Sequence, residues 1–148
     1  MLKSTDYEEE VVLRLLNRNE IRKRNENLFL LAREYGVTNY TVFNNYGYKG
    51  LYMESINQIR RRKSLSYSDN VLDYMGSEEL AVNLFRILQT TSILQKNMPS
   101  NWNYACQTHY HVGNKIRKLI EELDGNLPEN LPLPEQSIYD IEKEIALF

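Results

Sequence analysis

The sequence predicts an all-α fold, a compact multi-helix domain that takes in the whole chain, residues 1–148. Three observations support this prediction: apolar residues recur every three or four positions, strand-like alternation is missing, and helix-capping or helix-ending residues separate the periodic segments. A chain of this length can bury roughly 70% of its unfolded surface, so it needs no disulfide or metal to fold. No internal repeat divides it.

The first predicted helix covers residues 6–35 and ends at Gly36, which suits a left-handed C′ position. Its ends are apolar, whereas residues 17–26 are mostly polar. Such a centre indicates either a break near Asn17, which would make 1–18 a separate leading helix, or a helix that crosses solvent between two packed regions. The apolar ends are suited to pack inward or across a two-fold axis, so a homodimer is one expected form.

Three short helices are predicted to follow, separated by turns. They span residues 39–46, 56–62 and 70–74. Thr38 and Ser55 are the expected N-caps of the first two, and Gly47 is expected to end the first.

The next predicted helix covers residues 78–96, with Ser77 as its N-cap. Its expected inward face is apolar and consists of Leu80, Ala81, Leu84, Phe85 and Leu88. Truncating Phe85 to alanine is therefore expected to cost about 3–5 kcal/mol. A polar face remains, consisting of Asn83, Arg86 and Gln89. Core packing does not explain it, so it is predicted to serve either buried hydrogen bonding or contact with a partner.

The third long helix is predicted over residues 102–123 and ends at Asp124-Gly125. Residues 125–136 hold three prolines and are expected to be extended. Ser137 then begins a last helix.

Cys106 and His109 lie three residues apart on the apolar stripe of the third long helix. The spacing suits a thiolate–imidazole pair or two metal ligands, but a zinc site needs three or four ligands. Core packing is favoured, because free cysteine is among the most buried residue types. The sequence also lacks a phosphate-binding glycine loop, a nucleophile elbow and paired CxxC motifs. No catalytic, cofactor-binding or metal-ligating residue is predicted, and enzyme activity is not expected.

The densest charge in the chain is a basic run with one further lysine nearby in sequence. The candidate residues for binding nucleic acid or a partner are Lys49, Arg60, Arg61, Arg62 and Lys63. They belong to a helix–turn–helix-like stretch, residues 55–74, which could grip phosphates. The alternative is a solvated helix C-terminus, where the helix dipole favours cations.

Four tyrosines cluster around the turn before this run, namely Tyr40, Tyr46, Tyr48 and Tyr52. Aromatic rings beside a basic patch suit stacking on exposed bases. The favoured alternative is packing of a short-helix subdomain with hydroxyl groups at its rim.

The formal net charge is -2, and the chain holds a single cysteine. The N-terminus lacks the order of a signal peptide, and no run approaches the ~18 apolar residues of a membrane span. We therefore expect a cytoplasmic protein with no membrane partner. Because the net charge is slightly negative, any anion-binding site would have to be a local basic patch.

Four segments, in order, resemble the C-terminal half of the bacterial DNA-damage-inducible protein D family. They are NEIRKRNENLFLLAREYGV, FNNYGYKGLY, LDYMGSEELAVNLFRILQT and THYHVGNKIRKLIEELDGNLPENLPLPEQSI. The most specific parts are MGSEELAVNLFR and LPENLPLPEQSI. The resemblance covers almost all of residues 19–144. The antirepressor-like and BRO-like N-terminal half of full-length members has no counterpart in this sequence.

The resemblance implies a non-enzymatic interaction module of the DNA-damage (SOS) response, found in chromosomes, prophages and mobile elements. RecA filaments on single-stranded DNA are the partner that it implies. One alternative is a phage or mobile-element transcriptional regulator that binds DNA like an antirepressor. A further alternative is a purely protein-binding antitoxin or inhibitor.

Overall fold

The computed structural model describes residues 4–147. Within these residues the chain forms six α-helices and two short 3₁₀ turns, and contains no strand. The helices are α1 (Ser4–Glu34), α2 (Tyr40–Tyr52), α3 (Ile56–Arg62), α4 (Ser77–Lys96), α5 (Trp102–Glu122) and α6 (Ile138–Ala146). The 3₁₀ turns are Val71–Tyr74 and Pro128–Asn130. The predicted all-α fold is confirmed, and none of the described helices combines the length and apolarity needed to cross a membrane.

The first helix, α1, is continuous through Asn17, so the predicted break does not occur. Its polar centre does not cross solvent either. The stripe that α1 buries follows alternating spacings of four and three residues and consists of Arg14, Arg18, Ile21, Asn25, Leu28 and Ala32. The buried face of α1 therefore includes the polar residues Arg14, Arg18 and Asn25 as well as apolar ones.

Two buried arginines tie α1 to the segments around it. The Arg14 guanidinium donates to the carbonyl oxygens of Met75 at 2.9 Å and Gln136 at 2.7 Å. Arg18 forms ion pairs with Asp73, at 2.8 Å, and with Glu142 of α6. These contacts hold the 3₁₀ turn 71–74 and the C-terminal helix against α1.

Helix α2 does not end at Gly47 as predicted but continues to Tyr52. The glycines of α2 permit a close approach to α5 instead. A Cβ atom on Gly50 would lie 2.1 Å from the carbonyl oxygen of Tyr110, and one on Gly113 of α5 would lie 2.7 Å from the amide nitrogen of Leu51. Because no side chain fits between the two backbones, glycine is required by tertiary packing rather than by a helix terminus.

Of the four predicted N-caps, Ser55 and Ser137 are confirmed, whereas Thr38 and Ser77 are wrong. Ser55 caps α3, with Gln58 completing a capping box, and Ser137 caps α6. The N-cap of α2 is Asn39 rather than Thr38; its side chain accepts a hydrogen bond from the amide of Val42 at 3.1 Å.

The start of α4 is capped from another helix. Ser77 begins α4, Gly76 is its N-cap residue, and no local side chain caps it. The Glu10 carboxylate of α1 accepts hydrogen bonds from the Ser77 amide, at 2.8 Å, and from the Ser77 hydroxyl. A carboxylate at a helix N-terminus is also favoured by the dipole.

The predicted inward face of α4 is wrong in part. Leu80 is fully buried, but Phe85 is 48% exposed and Leu88 is 37% exposed. The buried face of α4 instead includes Glu79, Asn83, Arg86, Ile87, Thr90 and Leu94. The helix is rotated toward its polar residues because neighbouring helices supply hydrogen-bond partners for them.

The Pro-rich segment after α5 is extended apart from the 3₁₀ turn 128–130. Arg117 of α5 fastens it, because its two terminal nitrogens lie 2.8 and 2.6 Å from the two carboxylate oxygens of Glu129. This bidentate pair lowers the pKa of Glu129 and raises that of Arg117.

Candidate nucleic-acid and partner interface

One of the five predicted cations is not at the surface. The Lys63 ammonium lies 2.8 Å from a carboxylate oxygen of Glu79, and the side chains of the two residues are 3% and 1% exposed. It also lies 3.4 Å from the carbonyl oxygen of Tyr74. Lys63 is therefore an internal ion-pair partner, which the basic run in the sequence did not reveal.

The other predicted cations lie at or near the surface, and internal contacts hold two of them. Arg62 pairs with Glu54 at 2.9 Å. Arg60 donates to the carbonyl oxygen of Asp69 at 3.0 Å. Lys49 and Arg61 are exposed, and their side chains make no hydrogen bond or ion pair with another described residue.

The predicted helix–turn–helix-like stretch does not contain a second α-helix. Residues 71–74 form a single 3₁₀ turn in which Val71, Leu72 and Asp73 are buried. These side chains pack against the core or bind α1, so the turn does not provide a recognition helix for a DNA groove.

The tyrosine cluster separates into two groups. Tyr48 and Tyr52 are buried in α2. Tyr46 is half-buried, while Tyr40 is exposed and meets Phe29 of α1 edge-to-face, with ring centroids 5.2 Å apart. The predicted packing interpretation is confirmed for the buried pair.

A groove that was not predicted from the sequence lies between α1, α2, α3 and the loop 68–72, with a volume of about 560 Å³. Its walls combine aromatic, amide and cationic side chains. They include Phe29, Tyr40 and Tyr48, then Asn25, Asn44 and Asn70, then Arg22 and Arg60. Arg60 is the member of the predicted basic run that reaches this groove.

Two nearly buried polar residues line the groove without internal partners. Asn25 is 8% exposed and Tyr48 is 2% exposed. Neither the Asn25 amide nor the Tyr48 hydroxyl makes a hydrogen bond to another described residue. Burial raises the pKa of Tyr48 to about 12, so its hydroxyl stays neutral. The guanidinium of Arg86 lies 4.9 Å from the centroid of the Tyr48 ring.

A sequence signal for Asn25 exists in its spacing. It lies four residues after Ile21 and three before Leu28, so it continues the apolar stripe of α1. A polar residue on such a stripe is either hydrogen-bonded in the core or placed for a ligand.

The formal charges that line the groove cancel. Arg22, whose side chain is half exposed, and Arg60 are balanced by Glu26 and Asp69. Asp69 also accepts a hydrogen bond from the amide of Ser66 at 2.8 Å, so one of its oxygens is already engaged.

The buried polar face of α4 forms a continuous chain of hydrogen bonds. Beyond the Lys63–Glu79 pair, the Tyr52 hydroxyl donates to Glu79 at 2.5 Å. The Asn83 amide then donates to the Tyr52 oxygen at 2.9 Å. Burial beside Glu79 raises the pKa of Tyr52 well above its ordinary value, which keeps the hydroxyl protonated as the donor.

Arg86 continues this chain of hydrogen bonds, and no carboxylate among residues 4–147 pairs with it. It is fully buried and donates to the Asn83 side-chain oxygen at 3.0 Å and to Nε2 of His109 at 3.0 Å. Its Nε atom has no partner among the described residues. Burial lowers the pKa of Arg86.

His109 ends the chain as a neutral ring. Its Nδ1 lies 2.9 Å from the Thr90 hydroxyl, which itself donates to the carbonyl oxygen of Arg86. Because arginine can only donate, Nε2 must accept and Nδ1 must carry the proton. Burial and the Arg86 charge lower the pKa of His109 well below its ordinary value.

Of the two uses predicted for the polar face of α4, Asn83 and Arg86 serve buried hydrogen bonding. Gln89 is exposed. Cys106 lies in the core as predicted, and burial raises the pKa of its thiol. No group of three or more residues suited to hold a metal ion occurs among residues 4–147.

Comparison with known proteins agrees with the resemblance. A family model of the DinD C-terminal domain matches residues 8–141. The chain is 41% identical over 139 residues to DNA damage-inducible protein D of Escherichia coli strain K12. The aligned region covers 90% of this chain and 50% of that protein. The chain therefore spans about half the length of this curated relative. No solved structure matches it.

Proposed function

The chain belongs to the DinD C-terminal domain family, and from this premise we propose that it is a non-enzymatic interaction module of the bacterial DNA-damage response, acting in the cytoplasm. The observation that carries the proposal is the 41% identity to a DNA damage-inducible protein over 90% of this chain. The proposed partner is a RecA filament on single-stranded DNA.

The arrangement of titratable groups supports binding rather than catalysis. His109 and Arg86 are fully buried and bonded to each other. Cys106 is buried, and its raised thiol pKa disfavours the thiolate that would act as a nucleophile. These groups stabilise the core and do not meet a substrate in solution.

The exposed cations support contact with a polyanion. Lys49 of α2 and Arg61 of α3 have no internal partner among the described residues, so phosphate contact would not break an existing ion pair. Arg60 and Arg62 flank Arg61, but each already donates to two other residues. Arg60 donates to Asp69 and Asn57, and Arg62 donates to Glu54 and Glu129, so only their remaining N–H groups are free for phosphate. Exposed cations of this kind bind phosphates without reading sequence, and their affinity falls steeply with salt.

The proposal is tested by adding the purified chain to RecA filaments assembled on a single-stranded oligonucleotide. We expect filament disassembly, measured as a loss of RecA's DNA-dependent ATP hydrolysis and as release of the labelled strand. A double variant, Lys49→Ala with Arg61→Ala, should need several-fold more protein for the same effect.

The matched control is Lys115→Ala with Lys118→Ala, which removes two exposed lysines from α5. It should behave like the unmodified chain. Filaments that stay intact at several-fold excess of the chain over RecA would contradict the proposal, as would equal loss of effect in the two double variants.

A further inference from the structure

We propose that the groove between α1, α2 and α3 receives one nucleobase of a single strand, that Asn25 and Tyr48 hydrogen-bond its edge, and that Arg22 and Arg60 meet the adjoining phosphate. The inference rests on the proposed function for the source of the strand. The groove itself was not predicted from the sequence, and the RecA proposal does not require it.

The first support is the pair of unpartnered polar groups. Asn25 and Tyr48 are 8% and 2% exposed, line the same groove and bind no other described residue. Among the described residues, Nε of Arg86 is the one side-chain polar atom that is both shielded from solvent and unpartnered, so the polar atoms of Asn25 and Tyr48 reach the groove. Two buried side chains that present unbonded polar atoms to one cavity are placed to bind a ligand there.

The second support is the chemistry of these two groups. The Asn25 amide offers a donor beside an acceptor, and the neutral Tyr48 hydroxyl offers one more of each. Base edges present donors and acceptors side by side, and a side-chain amide can pair with such an edge in two places. The set therefore fits a planar heterocycle better than an aliphatic or a strongly anionic ligand.

The third support is the shape and aromatic lining of the groove. Its volume, about 560 Å³, falls within the range of roughly 300–1,000 Å³ that small-molecule sites occupy. The edge-to-face pair of Phe29 and Tyr40 lies on its wall. Single-stranded bases bind proteins by stacking on such rings once they leave their own stack.

The fourth support is the balance of charge. Arg22 and Arg60 are matched by Glu26 and Asp69, so the lining of the groove has no net formal charge. A neutral lining favours an uncharged base inside the groove. The phosphate then lies outside it, near the half-exposed Arg22.

The direct test is an NMR titration of the labelled chain with dAMP, dCMP, dGMP and TMP, each alone. We expect saturable shifts of the Asn25 side-chain amide with at least one of the four. Asn25→Ala should weaken that binding about tenfold, as loss of a paired amide does, and Tyr48→Phe, which keeps the ring, should weaken it several-fold.

Asn27→Ala is the matched control, because Asn27 is an exposed asparagine on the same helix and outside the groove. It should bind like the unmodified chain. Melting curves of all variants establish that they fold, and the titration of the unmodified chain decides the question even if a variant does not.

A second experiment compares an intact oligonucleotide with an abasic one of the same length at the same salt concentration. The intact strand should bind about tenfold more tightly, and the difference should disappear in Asn25→Ala. Equal binding of both strands, or unshifted Asn25 resonances with all four mononucleotides, would overturn the base-binding inference. So would an Asn25 shift caused instead by a capped acidic tetrapeptide, which would assign the groove to a protein.

The two proposals fail in different ways. If the filament assay works and the Asn25 amide does not respond, the groove inference is overturned while the proposed function stands. If mononucleotides shift Asn25 but RecA filaments are unaffected, the groove inference is supported and the proposed function is contradicted.

Discussion

Two polar regions of the molecule contrast in how their groups are bonded. On the buried face of α4, a chain of hydrogen bonds runs from Lys63 through Glu79 and Arg86 to His109, and Nε of Arg86 is its one unpartnered buried nitrogen. In the groove beside α1, Asn25 and Tyr48 are almost as buried and bind no described residue.

This contrast in bonding distinguishes buried polar groups that stabilise the fold from buried polar groups that are placed to bind a ligand. A network in which nearly every group is bonded offsets most of the desolvation cost of its members and selects one arrangement of the helices. Unpartnered groups contribute nothing of this kind, so their presence is better explained by a ligand than by the fold. The predictions below test this separation, from the largest expected effect to the smallest.

Breaking the ion pair should have the largest effect. Lys63→Met leaves the buried Glu79 carboxylate without its cation, so we expect the free energy of unfolding to fall by about 3–5 kcal/mol. Urea denaturation measures it. The double variant with Glu79→Gln should recover much of the loss, because neither charge of the pair then remains buried. A loss below about 1 kcal/mol would mean that this end of the network is solvated.

Gly47→Ala tests how tightly α2 covers the network. A Cβ atom there would lie 2.2 Å from a terminal nitrogen of Arg86 and 2.4 Å from Nε2 of His109. Helix propensity alone predicts a gain of about 1 kcal/mol, whereas overpacking predicts a loss of about 2–3 kcal/mol. We expect the loss, measured by thermal melting. Asn44→Ala, on the same helix but lining the groove, should change stability by less than about 0.5 kcal/mol.

Two asparagine truncations compare the regions directly. Asn83→Ala removes partners from both Tyr52 and Arg86, so it should destabilise the chain by about 1–3 kcal/mol. Asn25→Ala removes no hydrogen bond and should cost less than about 0.5 kcal/mol. Chemical denaturation of both variants is the measurement. Similar losses would show that the groove asparagine is structural and would remove the contrast.

The pH dependence of stability should report His109. The folded state holds the ring neutral, with a pKa well below the ordinary 6.5 of the unfolded chain. Below about pH 6.5 the unfolded chain thus binds one more proton, and stability falls by up to about 1.4 kcal/mol per pH unit as the pH decreases. Above that value this contribution is constant.

Urea denaturation between pH 7.5 and 5.5 measures this slope. His109→Gln should remove the contribution of this histidine to the pH dependence of the free energy of unfolding, even if the variant is less stable at every pH. His111→Asn, at an exposed histidine of the same helix, should keep the slope of the unmodified chain. An unchanged slope in His109→Gln would mean that folding does not lower the pKa of His109.

Local rules predicted most helix positions. The long helices were expected over 6–35, 78–96 and 102–123 and were found over residues 4–34, 77–96 and 102–122. The errors came where a residue has both a local and a tertiary use. Glycine is a good helix end, but Gly47 stays inside α2 because α5 and Arg86 leave no room for a side chain.

The candidate site was less predictable than the fold. The basic run in the sequence shows where the cations are but not which of them is buried. Lys63 is buried because Glu79 of another helix faces it, and this is known only from the structure. Phe85 was expected in the core because it is apolar, yet α4 turns it half outward in favour of Arg86. Hydropathy does not count hydrogen-bond partners, and three elements other than α4 supply those partners through Tyr52, Lys63 and His109.

The sequence by itself determined the all-α class, the long helices, two of the four N-caps and the membership of the family, because periodicity, capping and motif order are properties of consecutive residues. Tertiary structure alone decided which cations are buried, which face of α4 points inward, and that Asn25 and Tyr48 meet in one groove. The physical reason is that burial and hydrogen bonding depend on which helices pack together, and residues as distant as Asn25 and Arg60 become neighbours only after packing.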